Sequence, residues 1–62
     1  MSVAEKLVKA RGVEPRQAVA DAVGISVSAL GMYEQGRRVP RDDIKRKLAK
    51  YYRTTVQALF FD

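Results

Sequence analysis

Eight cationic side chains crowd residues 37–53: Arg37, Arg38, Arg41, Lys45, Arg46, Lys47, Lys50 and Arg53, opposed there only by Asp42 and Asp43. Residues 1–36 hold four basic and four acidic side chains, so the net charge of +5 is a local excess. Such a block suits binding to a polyanion, because each neutralised phosphate releases condensed counterions. Arg37, Arg38 and Arg41 are the leading candidates for that work. For Lys45, Lys47 and Lys50 a solvated helix face accounts for the charge equally well.

Bond-making chemistry has far less to build on. The chain contains no cysteine and no histidine, which removes the thiol nucleophile, the disulfide framework, the usual zinc ligands and the commonest general base. Asp42 and Asp43 read as acidic residues favouring a helix N-terminus, not as a catalytic carboxylate pair. Glu34, beside the apolar Tyr33, reads as one half of an ion pair with Lys9 or Arg11. The expectation is a chain that is not an enzyme and needs no cofactor or metal.

The elements that must position the cations follow from caps, breaks and apolar spacing. Ser2 with Glu5 makes a capping-box pattern ahead of Val3, Leu7 and Val8, predicting a helix over 3–11 ended by Gly12. Pro15 suits the first turn of a second helix, over 15–23, with Glu14 beside its positive end. Gly24 then supplies the turn, Ile25 an apolar plug and Ser26 a cap for a third helix over 27–35, in which Leu30 and Tyr33 share one face. Ala20 is small where the second and third helices must approach most closely. Ile44, Leu48 and Tyr51 or Tyr52 predict a helix over 42–52, and Thr54 or Thr55 caps a last one over 55–60 carrying Val56, Leu59 and Phe60. Two short helices joined as at 20–35 make a helix-turn-helix.

Within that motif the residues resemble the lambda-repressor and Cro (XRE-type) helix-turn-helix family. Ile25, Ser26, Ser28, Leu30, Tyr33, Glu34, Gly36, Arg38 and Pro40 stand as I-S-x-S-x-L-x-x-Y-E-x-G-x-R-x-P. Ile44, Leu48, Ala49, Tyr52, Val56, Leu59 and Phe60 sit where that family places the core of its fourth and fifth helices. The resemblance implies an all-α, compact five-helix lambda-repressor-like fold as one domain over 1–62, and a small Cro-like repressor of transcription bound to double-stranded DNA. A repurposed helix-turn-helix that binds another protein, as an antitoxin or anti-repressor does, is the alternative.

A helix-turn-helix docks its second helix in the major groove. With Leu30 and Tyr33 facing in, Val27, Ser28, Gly31 and Met32 are the base-facing candidates. The family usually carries glutamine, arginine, serine or lysine at such positions, and Val27, Gly31 and Met32 depart from that habit. None of the three can form the bidentate bond that singles out guanine or adenine, although Val27 and Met32 suit thymine methyls. The resemblance implies phosphate contacts from Arg16 and Gln17, opening the second helix, and from Gln35, Arg37, Arg38 and Arg41, leaving the third. The chain departs from the family in carrying one residue more between Gly12 and Ala20, and in having Pro15 where a serine or threonine cap is common.

Phe61 is one apolar residue more than the core needs, and Tyr51 is bulky where the family often has a small residue; together they make a candidate dimer seam for a weak homodimer completed on DNA. No apolar run approaches the ~18 residues of a membrane span, and residues 1–12 lack the order of a signal peptide. A cytoplasmic protein, of a bacterium or a phage-infected cell, with no membrane partner and no small-molecule ligand, is the expectation.

Overall fold

Ser2, Ser26 and Thr55 each accept a hydrogen bond from the backbone N–H three residues ahead, at 3.1, 3.0 and 3.0 Å, and each starts a helix. Ser2 completes the reciprocal box, its own N–H donating to Glu5 Oε1 at 2.9 Å. The computed structural model describes residues 1–61. It contains α1 (Val3–Arg11), α2 (Arg16–Val23), α3 (Val27–Glu34), α4 (Asp42–Tyr51) and α5 (Val56–Phe60), with no strand among the described residues. Helix α2 begins one residue later than its sequence suggests, because Pro15 is extended at φ −67°, ψ 144° and serves as a cap without a side-chain hydrogen bond.

Three of the helices end in one way. The N–H groups of Ile25, Arg37 and Thr54 reach back five residues to the carbonyls of Ala20, Met32 and Ala49, at 3.0, 3.0 and 2.9 Å. This closure requires a left-handed residue just before the donor. Gly24 (φ 82°) and Gly36 (φ 73°) supply it after α2 and α3, whereas Arg53 (φ 59°) does so after α4. A left-handed L-residue costs roughly 1–2 kcal/mol, so the first two turns use the residue that avoids the cost and the third does not.

These tight turns fold the helices around one core. Helix α1 packs on α3 and α5, α2 on α3 and α4, and α4 on α5. Leu7, Val19, Leu30 and Leu48 are the largest fully buried side chains, and burying each contributes about 1.5–3 kcal/mol. Ala20 is also 0% exposed, where α2 meets its neighbours. The second face of each helix is left to solvent, and no helix among the described residues is long and apolar enough to cross a membrane. Helix α3 thus hangs from the core by Leu30 and Tyr33, which leaves Val27, Ser28 and Met32 exposed.

Candidate nucleic-acid interface

Leu30 and Tyr33 fix the rotation of α3, and at roughly 100° per residue the opposite face is centred on Ser28 and Gln35. Val27, 36% exposed, and Met32, 38% exposed, flank that centre. Gly31 lies one turn above Val27. Its own atoms are buried by its neighbours, yet a Cβ built on it would meet no atom within 4 Å beyond the adjoining residues and the backbone of α3 itself. The four residues expected to face bases therefore lie together on α3, with Gly31 as a gap in the surface rather than a projecting group.

The chain leaves this face through its arginines. The Arg37 N–H closes the end of α3 on the Met32 carbonyl, and both Arg37 and Arg38 are exposed. Arg38 and Arg41 line one cleft together with Gly24 and Ile25, so they stand beside the turn between α2 and α3. Arg41 is 84% exposed in its side chain and, among the described residues, meets a carboxylate only at 3.9 Å, that of Asp43. Lys45 is withdrawn from this cationic surface. Its side chain is 14% exposed and its Nζ lies 4.9 Å from the Phe61 ring centre and 5.7 Å from that of Phe60.

Glu34, the last residue of α3, anchors this same end of the helix in the core. Its side chain is 0% exposed, and Arg11 grips it as a fork, Nε to Oε2 at 2.7 Å and Nη2 to Oε1 at 3.2 Å. Arg16 Nε donates to the same Oε1 at 2.8 Å. One carboxylate therefore ties together α1, α2 and α3. Burial by itself raises the pKa of Glu34, but the hydrogen bonds and charge of Arg11 and then Arg16 outweigh it and hold the group below the usual carboxylate range. The neighbouring Tyr52 hydroxyl is buried with no hydrogen-bond partner among the described residues. Burial, then the charge of Glu34, pushes its pKa up to about 12, so it stays neutral.

The scaffold of two helices, a left-handed glycine turn and a cationic exit now stands complete. The family described as a helix-turn-helix domain matches residues 4–59. This chain belongs to that family. Searches of curated proteins and of solved structures gave no match. As a helix-turn-helix domain it is a DNA-binding regulator in general kind, with α2 and α3 as the motif.

Within the helix-turn-helix domain, two residues expected on phosphates have partners inside the fold. Arg16 is held by Glu34, though 42% of its side chain remains exposed, and Gln17 donates to Asp21 Oδ1 at 2.7 Å. Gln35, Arg37, Arg38 and Arg41 are all exposed. The Glu34 partner anticipated as Lys9 or Arg11 is Arg11, and nothing in the sequence signalled the second grip by Arg16. Tyr51 and Phe61, expected to share a seam, lie in different places. The Tyr51 hydroxyl donates to the Glu14 carboxylate at the α1–α2 turn, which raises its pKa, and its ring packs edge-on against Tyr52. Phe61, 49% exposed, borders a groove beside Ser2, Val3 and Ala4 at the opposite end of α1.

Gly31 gives a direct stability prediction. Its φ is not left-handed and a Cβ meets no atom, so Gly31→Ala is expected to raise unfolding free energy by about 0.8 kcal/mol through helix propensity alone. The urea midpoint should rise with an unchanged slope.

Proposed function

We propose that this domain is a sequence-preferring regulator of transcription that acts as a small Cro-like repressor, seating α3 in the major groove of double-stranded DNA and blocking a promoter by occupancy. The observation that carries this is the placing of Arg37, Arg38 and Arg41 just beyond α3, with Arg38 and Arg41 in one cleft with Gly24 and Ile25 of the turn, and with no carboxylate among the described residues at hydrogen-bond distance from any of the three. Arginines placed at the edges of a groove-sized helix orient it on the phosphates, and the helix face meets base edges. Val27, Ser28, Gly31 and Met32 would meet bases. Gln35, Arg37, Arg38 and Arg41 would bind phosphates on one side, with Arg16, Gln17 and the first amides of α2 on the other. No cofactor or small-molecule ligand enters this scheme.

Two copies on a pseudo-palindromic site, with half-sites ~34 Å apart, would complete the arrangement. Phe61 is the better of the two proposed seam residues, because the Tyr51 hydroxyl is already engaged by Glu14. The second reading, a helix-turn-helix that binds a protein, is favoured by the exposed Val27 and Met32 on α3 and by Val39, 74% exposed, just beyond it.

A fluorescence titration against duplex DNA over a salt series separates the two. Phosphate binding predicts that the logarithm of affinity falls linearly with the logarithm of salt, and that each of Arg37→Ala, Arg38→Ala and Arg41→Ala lowers the slope by about 1. Absence of binding at low salt would remove the DNA reading.

A further inference from the structure

Resting on that DNA reading, we infer that α3 selects sequence through the C5 methyl groups of thymine, received in the gap at Gly31 between the side chains of Val27 and Met32. The fold itself does not call for glycine at this position. Its backbone is helical, not left-handed, and an added Cβ would meet no atom within 4 Å beyond the adjoining residues and the backbone of α3 itself. A glycine in mid-helix weakens the helix, so the stability of the domain argues against it. What the missing side chain provides is space outside the helix, on the face that leads into Arg37 and Arg38.

The walls of this space are apolar. Val27 stands one turn before Gly31 and Met32 directly after it, 36% and 38% exposed, and neither is needed to fill the core formed by Leu30 and its neighbours. The thymine C5 methyl is the one apolar group on the major-groove edges of the bases. The positive charge of Arg37, Arg38 and Arg41, just beyond the end of α3 and beside the turn before it, selects a polyanion as the occupant rather than an apolar protein surface. Ser28, on the same face, offers a single hydroxyl, so apolar contact is the larger part of what this stretch of α3 can use to discriminate.

The test compares alternating dA–dT with alternating dA–dU duplexes of equal length, titrated by fluorescence anisotropy at one salt concentration. The two present the same hydrogen-bonding edges and the same phosphates and differ in the methyl, and the dA–dT duplex offers methyls in every register. The dA–dT duplex is expected to bind about fourfold more tightly for each methyl buried. The Val27→Ala, Met32→Ala double variant should bind both duplexes alike, and Gly31→Ala, with its fold verified by circular dichroism, should lose affinity for dA–dT more than for dA–dU. Equal binding of the two duplexes by the natural chain overturns the inference and leaves DNA binding standing. Full retention of the dA–dT preference by the double variant also overturns it, since the preference would then come from duplex shape. Failure to bind either duplex removes the DNA reading itself.

Discussion

Glu34→Gln is expected to destabilise the domain by about 2–3 kcal/mol at neutral pH. The carboxylate is fully enclosed and accepts from Arg11 through two nitrogens and from Arg16 through one. An amide keeps the shape but loses the charge, and it turns an NH2 group toward guanidinium donors that then lack an acceptor. Removing one partner of a buried ion pair costs about 3–5 kcal/mol when the other stays dry. Arg11 and Arg16 are 17% and 42% exposed in their side chains and regain some water, which sets the lower figure. For a chain of 62 residues with a total stability of roughly 3–9 kcal/mol, the loss is a large share.

Glu34 also makes that contribution depend on pH. Its folded pKa is depressed, so the stabilisation is fully present above the unfolded carboxylate value of about 4.3 and disappears as pH falls through the lower folded value. Urea midpoints of the natural chain and of Glu34→Gln should therefore differ most near neutrality and converge in acid below about pH 4. A constant gap across that range would show that the carboxylate is not the source of the difference. Glu5, held low by its hydrogen bonds with Ser2, titrates in both proteins and cancels in the comparison.

Reversing Arg37 and Arg38 together to glutamate is expected to weaken duplex binding at least about 100-fold at low salt while leaving the fold intact. Each arginine offers a charge-assisted hydrogen bond worth about 1.5 kcal/mol or more, and two such losses amount to about 100-fold before repulsion is counted. The fold survives because these side chains are exposed and the contact that Arg37 makes with α3 runs through its backbone N–H to the Met32 carbonyl, which any residue but proline preserves. An unchanged thermal midpoint alongside lost anisotropy is the expected pair of results. Unchanged affinity would place the phosphate contacts elsewhere on the surface.

The sequence revealed the scaffold because its signals are local. Capping at Ser2, Ser26 and Thr55, glycine turns at Gly24 and Gly36, and apolar spacing through Leu30, Ile44 and Leu48 each act over a few residues. Arg53 carries no such signal: an arginine adopts the left-handed turn after α4 where glycine would have announced it. The side-chain partnerships were harder to read, because they depend on how whole helices dock. Arg16 looks like any exposed cation at the start of a helix until α2 packs on α3 and brings it to Glu34. Lys45 belongs to a basic run in sequence, but α5 packing on α4 sets it near Phe60 and Phe61. Tyr51 and Phe61 share an apolar character, yet α1 separates them, one near each of its ends.

The central claim is that α3 carries a DNA-reading surface framed by the arginines that follow it. Selection of bound duplexes from a random pool tests it most directly, run in parallel with the natural chain and with the Arg37→Glu, Arg38→Glu variant. The account predicts that the natural chain enriches a thymine-containing half-site, repeated at about one helical turn if two copies bind, and that the variant enriches nothing. Recovery of the unselected pool by the natural chain, or of the same motif by the variant, would contradict it.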